Sequence, residues 1–401
     1  MDGLVEKCDI CIIGASIAGN YLGYLLYHSN LNIIIIEEHK NVGLPFQCAG
    51  IVSKKLSKLI NLPENIILNR VKIAKLVSPS NKSLRLYGNE EPFIVDRIAL
   101  DQLFYKKLEK SSNVKYLLGE KFKSFQYKKK RKNKKEIEIQ TSKRKIVSKL
   151  LIGCDGPFSS VGKHVGVNNK VIYATQIRIK GLFNEQEAVM HFDNKWNDLF
   201  GWIVPEGNKI FRVGLACSKN IKENFNNFLK RINIDFNKKI DQQGGIIPVG
   251  MMNKVSYDNV MLIGDSACQV KATTGGGIIM LLIASKYAAN CIIKCFKSNN
   301  FSKKYIKKNY EKPCFREIGK ELKTHYLIRN LLKYFKNQDF DEFFTIIENS
   351  DIKNIISFYG DMDFPKKLLF KLLKNPYVFR FLLKFFIKKP KFLLKSIFLL
   401  K

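Results

Sequence analysis

Two short apolar runs near the N-terminus, Cys8 to Ile13 and Asn32 to Ile36, read as strands on either side of a helix-like stretch, and this strand-helix-strand unit ends near Glu38. The segment GLPFQCAGIVS at 43–53 is irregular and glycine-containing, so a loop follows. An extended region then runs to about Val95. In DRIALDQLF at 96–104, Leu100, Leu103 and Phe104 have helical spacing behind Asp96, a candidate cap. From Val114 to Leu151 short β-like stretches alternate. Val171 to Ala216 is again β-patterned, with an aromatic cluster at Phe200 and Trp202 and a loop at Pro205 to Asn208, which predicts a separate antiparallel sheet. Residues 260–285 give a buried-strand pattern, a loop and an apolar helix; beyond about 300 the chain reads as helical to its end. No internal repeat is visible.

Composition changes this picture in three places. With 401 residues, 46% of them hydrophobic, the chain can bury a sizeable core and fold alone. The N-terminal apolar run is short, follows Glu6 and Lys7, and leads into a glycine turn, so a secretory signal is not expected. Nine scattered cysteines without paired CxxC ligand spacing predict reduced thiols rather than disulfides, zinc or an iron–sulfur cluster.

The net charge of +34 calls for an acidic partner or neighbourhood. Its densest run, Lys128 to Lys135, lies between strand-like stretches at 121–127 and 136–140 and reads as a solvated hairpin tip. The basic stretches carry neither stacking-aromatic strands nor a helix-turn-helix pattern, so nucleic acid is not expected as a partner. No apolar run reaches the roughly 18 residues that span a bilayer. The segment from Lys366 to Lys401 mixes Leu, Phe, Ile and Lys. It reads either as a helix lying in an anionic membrane interface, with Phe379, Leu382, Leu383 and Phe386 on one face, or as a Lys-rich packing helix.

Candidate chemistry sits at three glycine-acid turns. GASIAG at 14–19 follows a strand and opens a helix, so free backbone N–H groups and the helix N-terminus converge where a dinucleotide pyrophosphate could sit. Gly14 allows the turn, Gly19 lets the helix press on the sheet, and Gly23 extends that packing. Ser16 stands where the usual middle glycine would be. Glu37, ending the second strand, is the acid expected to bind a ribose hydroxyl pair. GCDG at 153–156 and IGDSA at 263–267 complete the set.

Together these turns resemble the flavoprotein family that contains aromatic hydroxylases and geranylgeranyl reductases. The resemblance spans roughly residues 8–290 and implies an α/β fold of mixed α+β character. It would comprise a discontinuous, Rossmann-like, three-layer FAD-binding domain (1–165 and 255–300, with part of the substrate sheet near 70–100), an antiparallel-sheet substrate domain (166–254) and a basic helical C-terminal region (301–401). FAD is the implied cofactor. Gly14, Ala18 and Gly19 would serve the pyrophosphate, and Asp265 the ribityl and phosphate region, with a plain helix cap as the alternative. Gly277 and Ile278 in TTGGGI would contact the flavin ring, or else form an unliganded hinge. Arg97 resembles the family arginine that forks to phosphate or ribityl oxygens; the alternative is a surface pair with Asp101. Phe122 lies on the strand whose backbone would read adenine, and Asp155 would shape its turn.

QCAG at 47–50 and FGWIVPEG at 200–207 resemble elements of the geranylgeranyl reductase branch, from which Val204 and Glu206 depart. Cys48 and Ala49 then fall beside the flavin, Cys48 as cofactor contact, proton donor or inert thiol. Phe200 and Trp202 become tunnel walls or ordinary core. The implied reaction hydrogenates isoprenoid double bonds of a prenylated phospholipid. An external donor, ferredoxin or NAD(P)H, would be needed because only one phosphate-binding loop is visible. The expected location is cytoplasmic, at the inner face of the cell membrane. A flavin hydroxylase and a membrane-attached flavin electron carrier are the competing readings.

Overall fold

The computed structural model describes residues 5–88, 91–129, 135–252 and 254–389. Its elements, in chain order, begin with β1 (Val5–Ile13), α1 (Ile17–Leu26), β2 (Ile33–Glu37), β3 (Ile73–Val77), β4 (Ser83–Tyr87), α2 (Arg97–Leu108) and β5 (Val114–Leu118). Next come β6 (Phe122–Lys129), β7 (Lys135–Thr141), β8 (Lys145–Gly153), β9 (Val171–Lys180), β10 (Glu187–His191), β11 (Gly201–Gly207), β12 (Ile210–Cys217) and β13 (Lys239–Pro248). The rest are β14 (Ser256–Tyr257), β15 (Val260–Leu262), α3 (Ile278–Ser298), α4 (Lys320–Leu332), α5 (Asn337–Glu348), α6 (Ile352–Tyr359), α7 (Lys366–Leu373) and α8 (Pro376–Lys388).

An eight-stranded sheet runs β14-β15-β8-β1-β2-β5, with β7 also on β8 and β6 on β7. Its centre, β15-β8-β1-β2-β5, is parallel. Continuous apolar strands suit a sheet covered on both faces, and Ile10 to Ile13 and Ile33 to Ile36 are all buried. The strands brought together at β1, β8 and β15 are far apart in sequence, so the crevice at their C-terminal ends is assembled from Gly14, Cys154 and Gly264. The expected hairpin is present as β6 and β7; its tip, 130–134, lies outside the described residues.

A seven-stranded sheet runs β13-β9-β12-β11-β10-β3-β4. It is antiparallel except for β10 on β3, because β3 and β4 join it from early in the chain. A small sheet of Ile51–Val52, Phe93–Val95 and Ile67–Arg70 lies beside the segment that leads into α2. Asp96 caps α2 as its spacing implies, accepting from the Ile98 and Ala99 N–H groups.

Helix α3 is long and apolar enough by composition to cross a bilayer, contrary to the expectation of no such run. Yet 72% of its apolar window is buried inside the protein, where it packs against α1. Its apolar character serves the core. The following helical stretch widens into π-turns at Lys307–Glu311 and Phe315–Gly319, flanking Pro313, which lacks a backbone donor. Tyr310, fully buried there, donates to the Leu262 carbonyl (2.7 Å) and accepts from Gln269 Nε2 (3.1 Å), while Gln269 Oε1 accepts from the Gly264 N–H (2.7 Å).

The Gly264 turn is therefore braced from the C-terminal helices. Replacing Tyr310 by Phe leaves buried groups without their partner and should cost about 1–3 kcal/mol. The check is the urea unfolding midpoint at constant slope; an unchanged midpoint refutes the brace.

Candidate active site

Strand β1 ends in Gly14, whose φ of +101° a side chain would strain, and a Cβ there would stand 2.3 Å from the Cys154 carbonyl oxygen. At Gly19 a Cβ would stand 1.9 Å from the Gly14 carbonyl oxygen, so the first turn of α1 folds back onto the loop that precedes it. The beginning of α1 is held by two carboxylates from elsewhere. Glu37 accepts from the Ala15 N–H (2.8 Å) and Asp101 from the Ile17 N–H (3.0 Å). Glu37 also accepts from the His39 N–H and contacts His39 Nδ1. Ser16, exposed at the N-cap, makes no capping bond and leaves its hydroxyl to solvent. Ala18 packs behind the loop, toward Gly264.

A cavity of about 530 Å³ opens over this loop, and Gly14, Glu37, Phe122, Asp155 and Lys163 are among the residues around it. Asp155 accepts from Ser159 Oγ (2.5 Å) and the Val161 N–H (2.9 Å), so it shapes its turn by capping the short helix Ser160–His164; burial raises its pKa.

Arg97 is not the surface residue of the simpler expectation. Its side chain is 16% exposed and that of Asp101 only 8%, with Nη2 donating to Asp101 Oδ1 (3.2 Å). Burial alone would lower the Arg97 pKa, but the Asp101 carboxylate, then Cys48, outweighs it and holds it above the ordinary value. Arg97 Nε is buried without a partner among the described residues. Close by, Asp265 receives no side-chain hydrogen bond from a described residue. Burial lifts its pKa to about 6 against the opposing pull of Arg97. Neither Arg97 Nε nor the Asp265 carboxylate has a partner among the described residues, and the guanidinium is close enough to oppose the rise in the Asp265 pKa.

A second cavity, of about 420 Å³, is walled by Gln47 to Ile51, by Phe200 and Trp202, by Thr274 to Gly276, and by Ile356, Met362 and Leu368 from α6, α7 and the bend between them. Its walls are mainly apolar. Cys48 and Ala49 stand in the wall, and Cys48 Sγ accepts from the Gly50 N–H (3.3 Å). Phe200 and Trp202 both line the space and pack into the adjoining apolar cluster, so the two readings of these residues coincide. Gly277 and Ile278 are not among the described lining residues. Gly277 is the N-cap of α3 and faces Asp265, while the glycines in the wall come just before it.

Nothing local along the chain signals the bracing behind this wall. Lys271, 5% exposed in its side chain, donates to Asp363 Oδ1 (2.7 Å) and to the Met362 carbonyl. His325 Nδ1 meets Thr273 Oγ1 (2.6 Å) and its Nε2 the Asp363 carbonyl (3.1 Å); burial lowers its pKa to about 4. These groups lie too far apart along the chain for spacing to reveal them.

The C-terminal amphipathic face also differs from expectation. In α8, Val378, Phe381 and Phe385 point into the protein and Leu382 and Phe386 pack beside them, whereas Phe379, Leu383 and Ile387 form an outward stripe at four-residue spacing. Apolar residues occur all round the helix, so their pattern alone could not separate its faces. Residues 390–401 of the predicted interfacial segment lie outside the described residues.

No family model matches the chain. It is 30% identical over 385 residues to an uncharacterized protein of Methanocaldococcus jannaschii, covering 92% of this chain and 95% of the relative. It is 25% identical to digeranylgeranylglycerophospholipid reductase 1 of Methanococcoides burtonii, over 92% of this chain and 95% of that one. Among solved structures, the geranylgeranyl bacteriochlorophyll reductase-like protein of Thermoplasma acidophilum superposes with a TM-score of 0.81 at 20% identity, covering 94% of this chain and 98% of its own. With its glycine turns meeting at one crevice and these relatives matching it almost end to end, the chain belongs to the geranylgeranyl reductase family of FAD-binding flavoproteins.

Proposed function

We propose that the protein is an FAD-dependent reductase that hydrogenates isoprenoid double bonds of geranylgeranyl chains carried on glycerophospholipids of archaeal type. The observation that carries this reading is the apolar cavity running from the Cys48 and Thr274–Gly276 loops to the C-terminal helices. The names of the relatives support the substrate class.

The crevice fits the cofactor. Gly14 lets the turn after β1 close against the Cys154 backbone, Arg97 Nε is a buried donor without a partner among the described residues, and Asp265 is an acceptor without one. Gly14, Ala18 and Gly19 would hold the pyrophosphate at the start of α1, Glu37 and Phe122 would border the adenosine end, and Arg97 and Asp265 would take the phosphate and ribityl oxygens. Cys48 and Ala49 would stand at the ring. Bound and reduced, FAD supplies a hydride equivalent. An unactivated alkene offers no carbonyl to polarise, so the chain's own contribution is orientation and dryness: Trp202, Val204 and Ile247 hold an apolar chain and exclude water. Cys48 Sγ is our choice of proton donor to the second carbon.

Lys72, exposed at the cavity wall, and Lys367 and Lys371 nearby are suited to an anionic headgroup. Phe370, Phe379 and Ile387, with exposures of 61%, 56% and 72%, would enter the membrane interface beside them. In this reading the protein works at the cytoplasmic face of a membrane, with ferredoxin or NAD(P)H as electron source.

Anaerobically reduced, FAD-loaded protein given a digeranylgeranyl glycerophospholipid in vesicles should add about two mass units per double bond, read by mass spectrometry. No gain of hydrogen overturns the assignment; oxygen incorporation in air would make the protein a hydroxylase, and neither change an electron carrier.

Asp265→Asn should weaken FAD binding yet stabilise the apoprotein at pH 7 by about 1–2 kcal/mol. Because the folded pKa is raised to about 6, the carboxyl favours folding while protonated, and that stability is lost as pH climbs from the unfolded value through 6. The gap between variant and wild type, from urea unfolding, must therefore open between about pH 4 and 6.5; a pH-independent gap contradicts the cause given for the shift.

Phe379→Glu combined with Leu383→Glu should reduce binding to anionic vesicles roughly tenfold or more with unchanged circular dichroism. Undiminished co-sedimentation would put the docking face elsewhere.

A further inference from the structure

Glu206, one of the two departures from the reductase pattern, stands in a closed circuit of side chains on one face of the seven-stranded sheet. Register explains how the circuit forms. Gln243, Gln176, Gly214 and Trp202 are successive cross-strand neighbours on β13, β9, β12 and β11, and one step along lie Asp241, Arg178, Arg212 and Val204. Residues two apart share a face, so the polar groups of both rungs meet.

Starting at the cavity wall, Gln176 Nε2 donates to the Cys48 carbonyl (3.0 Å) and to Gln243 Oε1 (2.6 Å), and Gln243 Nε2 donates to Asp241 Oδ1 (3.3 Å). Arg178 donates to Asp241 Oδ2 (2.7 Å) and forks onto both oxygens of Glu206 (2.9 and 2.6 Å). Arg212 Nε donates to Glu206 Oε2 (2.8 Å), and its Nη1 returns to the Ala49 carbonyl (2.9 Å). The circuit thus grips two consecutive carbonyls, Cys48 and Ala49. Gln176 Oε1 also accepts from Trp202 Nε1 (3.2 Å), whose ring occupies the space left by Gly214: a Cβ there would stand 2.3 Å from it.

Arg178 and Arg212 sit directly opposite each other, a repulsive pair unless an anion lies between them. Glu206 is that anion. Arg212 and Gln176 are 2% and 4% exposed, so neither can exchange its partners for water without moving the loop.

We infer that Gln176, Glu206 and Arg212 are positioning residues that fix the Cys48–Ala49 peptide and the Trp202 indole together in the cavity wall. The role in turnover rests on the flavoprotein reductase reading; the positioning itself does not. The circuit also gives both N–H donors and the oxygen of the Gln176 carboxamide a partner, so an apolar chain can pass it without stripping a polar group of its partner.

Thiol labelling tests this without substrate or turnover. Cys48 and Cys8 are the half-buried cysteines and the other seven are buried, so Cys8 serves as an internal reference. In the full-length protein, with and without FAD, Gln176→Glu and Arg212→Lys should change the iodoacetamide alkylation rate of Cys48 roughly tenfold, read by peptide mass mapping, and leave Cys8 unaltered. Both should also shift Trp202 emission. Glu206→Gln keeps the shape and loses the charge, and should give a smaller change in the same direction. An unchanged Cys48 rate in all three variants overturns the proposal. If Gln176→Glu or Arg212→Lys unfolds, seen as labelling of Cys217 and Cys268, Glu206→Gln at the outer side of the circuit decides by the same criterion. Altered labelling in a protein that fails to hydrogenate prenyl chains would keep the circuit and discard only the reductase reading.

Discussion

The buried pair of Arg97 and Asp101 is the constraint on which the site depends. Asp101 receives the Ile17 N–H at the start of α1, so the orientation of that helix over the crevice is set by a residue on α2. Arg97 neutralises Asp101 and touches Cys48, linking the pyrophosphate-type loop to the wall of the second cavity. A pair taken so far out of water gains little net stability over apolar packing, and breaking it leaves an uncompensated charge. Its value is positional. The partnerless Arg97 Nε and the unpaired Asp265 are the part of this arrangement that protein groups leave incomplete.

The legible parts of the fold were those written in neighbouring residues. The β1–α1–β2 unit shows as apolar runs around a glycine turn, and the α2 cap shows because Asp96 stands immediately before a helical spacing. The meeting of Gly14 with Cys154 was readable only through resemblance, since nothing local relates positions 140 residues apart. The polar braces were invisible. Lys271 with Asp363 and Arg178 with Glu206 and Arg212 depend on tertiary register, and in a lysine-rich chain one more cation carries no signal. In α8 the pattern misled for a different reason. A helix with apolar residues on every side has no unique inward face until its neighbours, here Phe335 and Phe340 among others, are in place.

Glu206 shows how a departure from a motif can be compensated. A carboxylate between two guanidiniums satisfies both and is itself held ionised: burial would raise its pKa, but Arg178 and Arg212 together lower it. The loop beside it is then held by hydrogen bonds to its backbone, so its placement does not rely on the identity of the Cys48 or Ala49 side chain.

The second cavity borrows one wall from helices that share no strand with the dinucleotide crevice. Ile356, Met362 and Leu368 come from the chain's last quarter, fastened to the glycine loop through the Lys271–Asp363 contact. On the proposed reading, capacity and grip are thereby encoded in different stretches of the gene: bulk traded at the far wall would alter how long or branched a guest fits, while the residues proposed to retain the yellow prosthetic group would stay untouched.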